Sequence, residues 1–138
     1  MFFNKKEKNS TASNLVKIGA LLIHAAKIDE NYSIEEEKII KKTLLSLGAD
    51  NNYLDTLIEK AKMCEEDSNQ ILDFTREIKN LDETSKIRII KSLWKIIYSN
   101  NDADIYETNL MRRLAGLLYI DSKIMGDIKE EIKKENLK

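Results

Sequence analysis

The residues best suited to chemistry are carboxylates in a short loop that occurs twice. Asp29-Glu30-Asn31-Tyr32-Ser33-Ile34-Glu35-Glu36 has a counterpart 71 positions later in Asn100-Asn101-Asp102-Ala103-Asp104-Ile105-Tyr106-Glu107. In the first copy Asp29 and Glu36 are separated by six residues. In the second, Asn100 stands for the aspartate, Glu107 keeps the glutamate, and Asp102 and Asp104 add carboxylates. Hard divalent cations, Ca²⁺ or Mg²⁺, take such oxygen donors, and carbonyls at the end of a preceding helix can supplement them. The expected metal ligands are Asp29, Glu36 and Glu107. The loop is not an EF-hand, because counting from Asp29 the sixth and twelfth positions are Ile34 and Ile40, where that motif needs glycine and a bidentate glutamate.

The same residues also satisfy a helix start. Ser33-x-x-Glu36 is a capping box, in which the serine hydroxyl accepts from the N3 amide and the glutamate accepts from the serine N–H; Asp104-x-x-Glu107 has the same form. Glu35, Glu36 and Glu37 ahead of Lys41 and Lys42 complement the helix dipole without any ligand. Two readings therefore stand side by side: an acidic cation site, and a pair of caps.

The elements around the loops follow from periodicity. There is no proline, glycine occurs four times, and Ile, Leu, Lys and Glu run at helical spacing, so the chain is expected to be all-α. The pattern predicts helices from Thr11 or Ser13 to Ile28, Glu35 to Leu47, Asn51 or Asn52 to Glu66, Ser68 to Ile78, Glu83 to Ser99, Tyr106 to Leu118, and Asp121 or Ser122 toward Lys138. Residues 1–10 are expected as a loose tail, and 11–138 as one compact bundle of about seven helices with an internal helix–loop–helix duplication. Leu22 falls on Leu93, Ile34 on Ile105, Ile39-Ile40 on Leu110-Met111, and Lys41-Lys42 on Arg112-Arg113. The first and fifth helices are apolar on most sides and belong at the centre, the fifth through Leu93 and Trp94.

Ala25-Ala26-x-x-Asp29 followed by Ser33-x-x-Glu36 resembles the A-x-A-D-G-x-I/L-x-x-x-E signature of the TerB-like family, named for tellurite resistance and related to the N-terminal domain of a DnaJ-like co-chaperone. Leu93-Trp94-Lys95-Ile96-Ile97-Tyr98 through Glu107, then Leu110-Met111-Arg112-Arg113-Leu114-Ala115, resembles the second family motif. The resemblance covers about residues 13–130. It implies an all-helical bacterial domain with an acidic metal-binding site, associated with stress-response or membrane-linked systems. Glu30 and Asn101 occupy the usual glycine positions and Asn100 the second aspartate, which costs the second loop a charge. No His-Pro-Asp sequence is present, so J-domain activity is not implied.

Other chemistries find less support. With 23 basic and 24 acidic residues interleaved, an extended nucleic-acid-binding face is not expected. His24 is the sole histidine and is expected to find a local hydrogen bond; Cys64 is the sole cysteine and cannot form an intramolecular disulfide. Trp94 and Tyr98 are expected as packing residues, and Lys41-Lys42 with Arg112-Arg113 as at most a small anion patch. No nucleophile, base and electrophile constellation can be named, so catalysis is not expected. No apolar run suits a signal peptide or a span, and the protein is expected in the cytoplasm. Phe2 and Phe3 before Lys5 and Lys6 are a weak peripheral-membrane signal, insufficient for stable anchoring. The competing functions are a cation-responsive binding module and a metal-free helical adaptor that meets a protein partner through an exposed helical face.

Overall fold

The computed structural model describes residues 2–27, 33–67, 72–99 and 105–136. These form seven α-helices and no strand: α1 (Phe2–Lys27), α2 (Ile34–Ser46), α3 (Leu54–Asp67), α4 (Leu72–Ile78), α5 (Glu83–Tyr98), α6 (Ile105–Leu117) and α7 (Ser122–Asn136). A 3₁₀ turn, Asn51–Tyr53, leads into α3. The all-α bundle expected from periodicity is the fold observed.

α1 and α5 form the centre. Ala20, Leu21, Leu22, Ile23, Ala25 and Ala26 are all buried, a run that only a helix covered on several sides can bury. α1 packs against α2, α3, α4 and α5, while α5 packs against α1, α2 and α7. On α5, Ile89, Ile90, Leu93, Trp94, Ile96 and Ile97 are buried in turn. α1 and α3 come close where Gly19 faces Ala61: a Cβ on Gly19 would stand 2.8 Å from that of Ala61.

One boundary differs from the sequence reading. α1 begins at Phe2, not at Thr11 or Ser13, so the segment expected as a tail has helical backbone. The first helix-stopping residue type in the chain is Gly19, and Ser or Thr inside a helix is only mildly unfavourable.

The duplication extends further than the loops. α1 ends at Lys27 and α5 at Tyr98, and α2 spans Ile34–Ser46 where α6 spans Ile105–Leu117, each pair offset by 71. The helix ends match bond for bond. Leu47 N donates to Thr43 O at 3.0 Å and Ala49 N to Leu44 O at 3.0 Å; Leu118 N donates to Leu114 O at 2.8 Å and Ile120 N to Ala115 O at 2.9 Å. This closure needs a left-handed residue, supplied by Gly48 (φ 107°) in one copy and by Tyr119 (φ 58°) in the other. The third helices also start alike, with Asp50 Oδ1 accepting from Asn52 N at 3.0 Å and Asp121 Oδ1 from Lys123 N at 2.9 Å. The molecule is two related three-helix units, α1–α3 and α5–α7, joined by α4.

Candidate functional site

Ser33 caps α2 with extended backbone, and the box anticipated in the sequence is closed. Glu36 N donates to Ser33 Oγ at 3.1 Å, and Ser33 N donates to Glu36 Oε1 at 2.8 Å. The carboxylate of Glu36 is only 1% exposed. Its neighbours Glu35 and Ile34 are exposed, so a single carboxylate of the acidic run turns inward. Burying a carboxylate is costly unless hydrogen bonds compensate, and the positive end of α2 adds to that compensation.

Asp29 lies outside the described residues, as do Asn100, Asp102 and Asp104. Glu107 occupies in α6 the place of Glu36 in α2, three residues into its helix. Among the described residues no group of three His, Cys, Asp or Glu side chains could hold a metal ion. A hard cation takes six or more oxygen ligands. The described part of the loop offers one buried carboxylate, with one oxygen engaged by Ser33 N. Further donors to a cation there would come from residues 28–32.

His24 finds a distant partner instead of a local one. Its Nδ1 is 3.5 Å from Glu65 Oε1 on α3, an ion pair only when the imidazole is protonated, while Lys27 Nζ holds Glu65 Oε2 at 2.9 Å. The His24 ring also meets Phe74 of α4 at 6.0 Å between centroids. Its role is to join three helices. Cys64 is half-buried and free. Trp94 and Tyr98 stack at 5.8 Å, as expected of packing residues, with Lys129 Nζ 5.5 Å from the indole centroid. Burial raises the Tyr98 phenol above its ordinary pKa, and the charge of Glu130 adds to the effect.

Two features had little signature in the sequence. Lys86 is buried and donates from Nζ to Leu118 O at 2.9 Å, placing a cation at the C-terminal end of α6, where the dipole favours one. A cationic groove between α2 and α5 draws mainly on Arg88, Lys91 and Lys95. Of the residues expected in an anion patch only Lys42 belongs to it. The spacing of the α5 residues was the available signal.

Two related helical units, each with an acidic loop ahead of its second helix, define an all-α domain of duplicated design. The family model described as Tellurite resistance protein TerB matches residues 15–130, and the chain belongs to that family. The matched span takes in both loops and all seven helices, apart from the two ends. No curated protein and no solved structure matches the chain. No helix among the described residues is long and apolar enough to cross a membrane.

Proposed function

We infer that this TerB-family chain is a cation-responsive binding module of a bacterial stress-response system, working in the cytoplasm with a protein partner and without catalysis. The observation that carries the reading is Glu36, a carboxylate 1% exposed at the head of α2 and next to the loop that holds Asp29. Asp29 and Glu36 would supply the leading ligands for Ca²⁺ or Mg²⁺, and Glu107 a secondary one. Asn100 leaves the second loop with a neutral donor in place of a charged one, so the first loop is the stronger site.

Calorimetric titration after chelation tests this. Asp29→Asn should weaken Ca²⁺ or Mg²⁺ binding more than Asn100→Ala does. An absence of heat and of any thermal shift across millimolar concentrations of both cations would overturn it. The closed capping box favours the second reading, a metal-free adaptor, since Ser33 and Glu36 already satisfy one another.

A further inference from the structure

A cavity of 430 Å³ opens between α2 and α5. Four cationic side chains border it, Lys42 from α2 and Arg88, Lys91 and Lys95 from α5, and among the described residues no carboxylate does. The chain as a whole interleaves 23 basic with 24 acidic residues, so a groove of one sign departs from its habit. Lys42, Arg88 and Lys95 have no carboxylate at ion-pair distance among the described residues; Lys91 Nζ is 3.8 Å from Glu131 Oε1.

Two buried hydroxyls line the same cavity. Thr43 Oγ1 and Ser92 Oγ touch one another across the α2–α5 contact. Thr43 also lies 2.8 Å from Ile39 O, and Ser92 3.0 Å from Arg88 O. Three contacts share two hydroxyl protons, so they cannot all be donated at once, and either proton can turn to a new acceptor without stranding its oxygen. Arg88 Nη1 donates to Ser46 O at 2.8 Å, which fixes the guanidinium at the rim and leaves further N–H donors on its fork.

The duplication provides an internal comparison. At the 71-residue offset Lys91, Ser92 and Lys95 correspond to Ala20, Leu21 and His24, Thr43 and Ser46 to Leu114 and Leu117, while Lys42 and Arg88 have basic counterparts in Arg113 and Lys17. In that copy Ala20, Leu21 and Leu114 are buried, and α4 packs on α1 with Phe74 against His24. Where α4 is absent, exposure alone would call for polar residues of either sign. It does not call for Lys91 and Lys95 to join two cations common to both copies over a pair of hydroxyls particular to this one.

We propose that the α2–α5 groove binds a small soluble molecule through two adjacent phosphate groups, a pyrophosphate-type ligand. The cavity lies within the range of small-ligand sites. Lys42, Lys91 and Lys95 supply point charges, Arg88 a planar donor fork suited to phosphate oxygens, and Thr43 and Ser92 hydroxyl donors. This site is independent of the acidic loop.

The test is titration of the full chain with pyrophosphate and with inorganic phosphate, followed by calorimetry and ³¹P NMR, at constant ionic strength with chelator present. The chelator separates the outcome from that of the cation site. Pyrophosphate should bind saturably and more tightly than inorganic phosphate. The double change Lys42→Gln with Lys95→Gln should weaken it about tenfold or more, as expected for losing close charge pairs. Lys133→Gln with Lys134→Gln, the same charge change on α7, should leave it nearly unaltered. Arg88→Gln should weaken it as well, but Arg88 also ties α5 to α2, so the lysine pair carries the decision. No saturable binding up to about 10 mM, the range of very weak complexes, would overturn the proposal. So would equal losses in the two lysine pairs, or binding to phosphatidic acid vesicles with none to pyrophosphate in solution.

Discussion

Ser33 and Glu36 share one capping box, yet substitutions at the two positions should separate the cap from any cation site. Ser33→Ala removes the 3.1 Å bond from Glu36 N and should destabilise the fold by about 0.5–2 kcal/mol, the usual cost of losing an N-cap. Glu36→Gln keeps an oxygen able to accept the 2.8 Å bond from Ser33 N. It loses the charge at the positive end of α2, worth about 0.3–1 kcal/mol and up to ~2 where partly buried. Glu36→Ala also leaves the Ser33 N–H without that acceptor, adding about 1–3 kcal/mol. Stability alone should therefore rank Glu36→Ala as the most damaging of the three. The cation increment is a separate quantity. A ligand at 100 times its Kd stabilises the folded state by about 2.7 kcal/mol, and a tenfold weaker site gives about 1.4 kcal/mol less. Urea unfolding followed by circular dichroism, with chelator and then with saturating Ca²⁺ or Mg²⁺, measures both. Ser33→Ala should keep the increment and Glu36→Gln should lose much of it. An undiminished increment in Glu36→Gln would remove Glu36 from the site and leave it a cap.

Three further outcomes follow from the packing. Trp94→Ala should cost about 3–5 kcal/mol, because the indole is 2% exposed between Tyr98 and Lys129. Trp94→Phe should cost much less, since Trp94 Nε1 has no hydrogen-bond partner among the described residues to lose; a near-zero effect of alanine in chemical denaturation would displace α5 from the centre. Gly48→Ala should cost about 1–2 kcal/mol from its left-handed backbone alone, as nothing lies within 4 Å of the added Cβ, and a melt unchanged from wild type would refute this. Asp82 caps α5, and the hydrogen bond from the Ser85 hydroxyl holds its carboxyl below the ordinary aspartate value, helped by the Ser85 amide and Arg88. The stabilisation is complete above the unfolded-state pKa and is lost as pH falls through the lower folded one. Denaturation of Asp82→Asn across the acid range should show a shallower loss than wild type, and identical slopes would count against that linkage.

The fold was legible wherever local pattern and tertiary role agree. Leu22 and Leu93 marked two all-round apolar helices, which the structure places at the centre. Gly48 marked the end of α2, and Ser33-x-x-Glu36 its start. The equivalent end of α6 carried no such mark, because Tyr119 stands at positive φ where tyrosine is uncommon. It lies beside Lys86, whose Nζ is 5.9 Å from the tyrosine ring and bonds the preceding carbonyl. That contact joins residues 32 apart, a separation no local pattern encodes. The partner of His24 was hidden for the same reason, since Glu65 comes from α3. Of the candidate site, the Ser33–Glu36 box was legible because it is local; the inward burial of Glu36 was not, because it depends on the neighbouring helices.

The groove shows why a duplicated fold does not yield two equal faces. α4 lies over one of the two related faces, the one that α1 and α6 form. It packs on α1 and reaches α6, and the residues beneath are of the kind that a covering helix buries, Ala20, Leu21 and Leu114. At the related positions the α2–α5 face carries Lys91, Ser92 and Thr43, with Lys95 where α1 has His24. Uncovering accounts for their polarity, but the shared positive sign is a second fact requiring a second cause. Like charges crowded around one cavity repel, and a structural role alone would be served better by alternating lysine with glutamate, as on the α2–α3 face where Lys62 Nζ lies 3.3 Å from Glu37 Oε1 and 3.7 Å from Glu59 Oε1. An anion that relieves the repulsion is the economical cause. It follows that pyrophosphate should raise the melting temperature of the wild type, and raise it far less once Lys42 and Lys95 are glutamine.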